Sequence, residues 1–146
     1  VKESARHVEP VEVLETIDIP HKPGVAIQST SDLAVLTRVS VIEGTHLYKI
    51  GTKGKSKSGV ESQFWATENP LLDPIGYAKK YGVSIEHIKN ADFLEIGIIK
   101  KDANFITREA PTAPGALPGS GGGIEVVVDV GAVQIVESIP IKLNLQ

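Results

Sequence analysis

Glycine and proline interrupt this chain so often that no regular element can run far. Of its 146 residues, 14 are Gly and 9 are Pro, and both residues break helix interiors and central strands. The longest apolar runs, such as Ile124 to Val128, are too short to cross a bilayer. The length suits one domain built from short segments. Apolar residues at 41% and charged residues at 23% are the proportions of a folded globular chain. A net charge of -3 argues against a strongly basic nucleic-acid clamp, so nucleic acid is not the expected partner. With no Cys, disulfides, thiolate catalysis and cysteine-ligated zinc are excluded. The chain has no Met and opens at Val1 on a charged, not an apolar, stretch. It is therefore expected to be a piece of a longer protein, with any secretion signal upstream.

Residues 1–30 read as a linker with a possible edge strand. Pro10, Pro20 and Pro23 interrupt any helical period there, while Val11, Val13, Ile17 and Ile19 suit short extended pieces. Residues 31–146 read as a single domain. Asp32 can cap a helix, yet the β-branched run after it argues equally for a strand. Short strands are predicted over Thr45–Ile50 and Gln63–Thr67. Asp73-Pro74 opens a helix over Ile75–Tyr81 that Gly82 ends, and Ser84 caps a further turn to Lys89. Strands follow over Asp92–Lys100, Asn104–Arg108, Ile124–Val130 and Ala132–Glu137, with a last one at Ile139–Leu145. Ala110–Gly123 is a loop. Few short helices among short, sequence-adjacent strands give an α+β class with small, split, strongly bent antiparallel sheets.

Several familiar chemistries lack their residues. Gly54-Lys55-Ser56 ends like a phosphate-binding P-loop, but Lys49 stands where its first Gly belongs. The basic stretch Gly51–Gly59 reads instead as a solvated loop, or as a lid that gathers an anion. His7, His21, His46 and His87 are not at metal-ligand spacing, so no metal is expected. His46, beside a strand, is the histidine best placed for acid/base work or ligand contact. No serine elbow motif is present. The most specific feature is Gly121-Gly122-Gly123 leading into Ile124-Glu125-Val126-Val127-Val128. A carboxylate opening an apolar strand is costly unless compensated, and glycines beside it leave room for a ligand to approach.

Read in order, Tyr48-Lys49-Ile50-Gly51, Gly59, Ser62-Gln63-Phe64-Trp65-Ala66-Thr67-Glu68-Asn69-Pro70 and Gly121–Glu125 resemble the ADP-ribosyltransferase-like toxins. The pattern is most similar to the secreted NAD-glycohydrolase toxins of the tuberculosis-necrotizing-toxin type. The resemblance implies cleavage of the nicotinamide–ribose bond of NAD+, with NAD+ as substrate and no prosthetic group. Glu125 and Ser62 would be catalytic, Ser62 bracing Glu125 or the ribose. Lys49 would hold phosphate, Phe64 or Trp65 would stack on nicotinamide, and Gly122, Gly123 and His46 would adjoin the ligand. Adjacent strand residues face opposite ways, so only one of Phe64 and Trp65 can serve. The chain departs from the family pattern at two places: Lys49 replaces an arginine, losing its planar fork, and Glu125 replaces a glutamine, leaning toward transferase chemistry. The resemblance further implies a module of a larger secreted protein, acting in the cytoplasm of a target cell and covered by an immunity protein in the producer.

Two other readings fit the composition. A metal-independent toxin ribonuclease acting on tRNA would use His46, Lys49 and Arg108. A non-catalytic binding module would leave both substrates intact. Arg108 itself is expected on a solvated face or paired with Glu95 or Glu109.

Overall fold

The computed structural model describes residues 15–19, 25–57 and 61–144. Among them the order is β1 (Thr16–Asp18), β2 (Val25–Ile27), α1 (Asp32–Ile42), β3 (Leu47–Gly51), β4 (Phe64–Ala66), α2 (Pro74–Tyr81), α3 (Ile85–Lys89), β5 (Phe93–Ile99), β6 (Phe105–Glu109), β7 (Ile124–Val128) and β8 (Val133–Pro140). β1 and β2 form a two-stranded antiparallel sheet. The other six strands form a second antiparallel sheet in the order β6-β7-β4-β3-β5-β8, which does not close into a barrel. The class is α+β.

Local chemistry sets the helices. Ser31, and not Asp32, caps α1: its side chain accepts from the Ala34 amide at 3.3 Å. The β-branched run is helical because Ala34 and Val41, both 0% exposed, pack into the core, and packing overrides propensity. Asp73 caps α2 by accepting from the Gly76 amide, Pro74 opens it, and Gly82 at φ +66° ends it. Ser84 caps α3 through the His87 amide at 3.0 Å.

The described part of residues 1–30 packs on the large sheet. Ile17 lies opposite Ala26, and both are buried against Ile106 and Val127 of the large sheet. Gln28 donates to the Thr107 hydroxyl at 2.8 Å, and Ser29 donates its amide to the Thr107 carbonyl at 2.9 Å. Pro10, Val11, Val13, Pro20 and Pro23 lie outside the described residues. The two strands expected after Ala132 are one, because Ser138 and Ile139 keep their pairing with Glu95 and Leu94.

The main core lies between α1 and the sheet, from Val41, Leu47, Trp65, Phe105, Val126 and Val128. Each such side chain contributes about 1.5–3 kcal/mol on burial. On the other face, α2 and α3 cover Ile50 with Ala78, Ile88 and Ala91. The centre of the large sheet is where pairing fails. β3 and β4 are joined by the single pair Tyr48–Ala66, whereas every other seam pairs three residues or more. Two three-stranded halves, β6-β7-β4 and β3-β5-β8, therefore diverge from one point.

Candidate functional site

A cavity of about 90 Å³ occupies this split. Lys49 and Ile50 line it from β3, Phe64, Trp65 and Ala66 from β4, and Glu125 from β7; Tyr77, Tyr81, Val83 and His87 close it from the helical side. The sequence predicted Lys49, Phe64, Trp65 and Glu125 as site residues, and the fold brings them together. Tyr77, Tyr81 and His87 complete the wall and were not expected there.

β7 places Glu125 by register. Ala66 lies opposite it on β4 and Arg108 on β6. Directly opposed residues share a face, so the Arg108 Nε donates to Glu125 Oε2 at 2.7 Å. The two side chains are only 24% and 13% exposed. Arg108 thus pairs with neither Glu95 nor Glu109; Glu109 accepts from the Ser31 hydroxyl instead.

The same register separates the adjacent aromatics. Phe64 opposes Val127, two residues along from Glu125, and so shares its face. Trp65 faces the other way and is 2% exposed, packed with Val41, Leu47 and Val126; it reaches the cavity from the core. Tyr77 and Tyr81 stand one turn apart on α2, ring centres 4.8 Å apart and tilted by 38°. Burial, the neighbouring Tyr81 and the charges of Glu125 and Glu68 push the Tyr77 phenol above its ordinary range. The Tyr81 phenol is pushed up to about 12, chiefly by burial and then by Glu68, against hydrogen bonding to Thr67. Both rings are neutral, apolar-faced walls at any physiological pH.

Two basic side chains, Lys49 and His87, line the cavity together with Glu125. Burial lowers the Lys49 ammonium from its ordinary value, partly opposed by the charge of Glu95, which sits opposite it on β5. Burial also lowers His87, against its contact with the Ile50 carbonyl at 3.3 Å, and the charge of Lys49 adds to the lowering.

Other expected site residues lie elsewhere. Ser62 falls beyond Phe64, at the far end of β4 from Ala66 and its partner Glu125. It is 2% exposed, its carbonyl accepts from the Trp65 indole at 3.2 Å, and it does not brace Glu125. Gly122 and Gly123 do not line the cavity. Gly121 and Gly123 strap the loop to α2, donating to the Lys79 and Lys80 carbonyls at 2.7 and 2.8 Å, and a Cβ on Gly123 would meet the Lys80 oxygen at 2.8 Å. Gly122 donates to the Ala110 carbonyl at 2.9 Å, and a Cβ on it would meet nothing within 4 Å. His46 is exposed, edge-on to Tyr48 at 6.5 Å, and outside the cavity. His46, Lys49 and Arg108 therefore do not converge as a ribonuclease set. Lys53, Lys55 and Lys57 are exposed on the loop that leaves β3 at Gly51.

Among the described residues, no group of three or more His, Asp or Glu side chains is placed to hold a metal ion, and no helix is long and apolar enough to cross a membrane. No protein-family model matches the chain, and no curated protein or solved structure shows significant similarity to it.

Proposed function

We propose that this protein cleaves the bond between nicotinamide and ribose in NAD+. One observation carries the reading: a carboxylate backed by an arginine faces a ring-walled cavity at the point where the sheet divides. As the C1′–N bond breaks, its electron pair goes to the nicotinamide nitrogen and positive charge grows on the ribose. Glu125 stabilises that charge, and preorganised electrostatics of this kind contribute about 3 kcal/mol or more. Water or another acceptor then adds at C1′ and gives up its proton.

The cavity's size divides the substrate. At about 90 Å³ it is well below the ~300 Å³ of the smallest ordinary ligand pockets. On this reading it takes one planar ring, against a lining that includes Phe64 and Tyr77. The rest of the dinucleotide lies outside, with Lys49 toward the phosphates. A groove of about 480 Å³ adjoins the cavity at Tyr77, lined also by Tyr48, Thr67, Glu68 and Lys80. On this reading the domain is the NAD+-consuming module of a secreted bacterial toxin, and a cognate immunity protein would cover the mouth of the split.

The test is incubation with NAD+ and, separately, with total tRNA, following nicotinamide and RNA fragments. Nicotinamide release that Glu125→Gln eliminates is the expected result. Intact NAD+ under all conditions overturns the reading, and RNA cleavage in its place moves the protein to the ribonuclease class.

A further inference from the structure

Arg108 stands behind the cavity wall and not in it. It belongs to β6, directly opposite Glu125 on β7, and it is absent from the cavity lining. Its guanidinium meets Glu125 Oε2 at 2.7 Å and lies 6.0 Å from the centre of the Phe64 ring. Three adjacent strands, β6, β7 and β4, thus contribute an arginine, a carboxylate and an aromatic ring to one face. A surface ion pair contributes only about 0–1 kcal/mol to stability, but this pair is three-quarters or more buried on both sides. Removing the arginine takes a directly hydrogen-bonded cation away from a carboxylate in a cavity wall. Among the residues lining the cavity with Glu125, the other titratable groups are Tyr77 and Tyr81 on α2, Lys49 on β3 and His87 on α3. Arg108 approaches Glu125 from the neighbouring strand of its own half of the sheet.

We propose that Arg108 is a positioning residue that holds the Glu125 carboxylate ionised and turned to the cavity, without touching the substrate. The proposal rests on the NAD+-cleaving reading for its kinetic consequence. A planar guanidinium both fixes the plane of a carboxylate and opposes its protonation. The arginine therefore acts through Glu125 on the rate, and on the pH at which activity is lost.

The decisive experiment compares Arg108→Gln and Arg108→Lys with the wild type, in pH profiles of nicotinamide release and in carbon NMR titration of the Glu125 carboxyl without substrate. In Arg108→Gln, kcat falls on the order of 100-fold, the loss expected of a misplaced reactive group, and KM changes little. Its acid limb moves up by about one pH unit or more, and the carboxyl titration moves with it. Arg108→Lys recovers most of the acid limb and part of the rate, because charge returns and the fork does not. Circular dichroism identifies any variant that fails to fold, and the lysine variant then carries the comparison. An acid limb and carboxyl titration identical to wild type in a folded Arg108→Gln overturn the proposal and leave NAD+ cleavage standing. Absence of nicotinamide release from the wild type sinks the parent reading, while the carboxyl titration still decides whether Arg108 keeps Glu125 ionised.

Discussion

The two halves of the large sheet bring opposite charges to one split. The β6-β7-β4 half presents Glu125, with Arg108 opposite it on the neighbouring strand. The β3-β5-β8 half presents Lys49, with Glu95 opposite it. The halves differ in how each charge is held. Glu125 accepts from the Arg108 guanidinium at 2.7 Å, whereas at Lys49 burial outweighs the charge of Glu95 and lowers the ammonium. On the proposed reading, a carboxylate at the breaking bond must be placed to a fraction of an ångström, while a phosphate-holding ammonium tolerates more play.

That contrast can be broken most severely at Glu125. Glu125→Gln keeps the shape and removes the charge, and nicotinamide release should fall by about 10²–10³-fold with an unchanged circular dichroism spectrum. A folded variant that still turns over would place the reacting charge elsewhere. Trp65→Ala should cost about 3–5 kcal/mol in urea unfolding, because Trp65 fills the core. Phe64→Ala, at the half-buried neighbouring position, should cost less stability and more activity. Equal stability losses would undo the division of labour between the two rings.

In the β3-β5-β8 half, Lys49→Ala should raise KM for NAD+ about tenfold, the equivalent of one charged contact of about 1.4 kcal/mol, and lower kcat less. An unmoved KM removes Lys49 from phosphate binding. His87 gives a smaller, pH-dependent effect. Its folded pKa lies below the ordinary 6.5, mainly through burial, so on acidification the unfolded chain takes up the proton first. Stability should therefore fall as pH drops below about 6.5, and His87→Asn should flatten that slope in melts between pH 7 and pH 5. Ser62→Ala should be the quietest change. The Ser62 hydroxyl has no hydrogen-bond partner among the described residues, so its loss should leave nicotinamide release and the denaturation midpoint nearly unchanged.

Where structure is set locally, the sequence shows it. The caps Asp73, Gly82 and Ser84 define α2 and α3 within a residue of their observed bounds. α1 is not legible in this way, because its β-branched residues suit a strand and its helicity depends on distant packing partners. The β1–β2 pair likewise depends on Ile106 and Val127, 80 to 110 residues away in the chain. The site divides along the same line. Glu125 is visible as a charge in an apolar strand. Arg108 as its partner is not, because the register across residues 110–123 is a tertiary fact. Tyr77 and Tyr81 did leave a signal, a spacing of four on a predicted helix, which stacks side chains on one face. Ser62 was read from resemblance and lies at the far end of β4; the glycines were read as room for a ligand, and Gly121 and Gly123 instead bond the end of α2.

The lone Tyr48–Ala66 bridge gives the molecule a built-in fold line. Any other seam of the sheet can part only by surrendering a whole ladder of amide pairing; this one gives up a single rung. A wedge-shaped guest that pries the halves apart therefore meets its least resistance beside Glu125 and Lys49, so a snug resting crevice and a much larger cargo are compatible in the same small body.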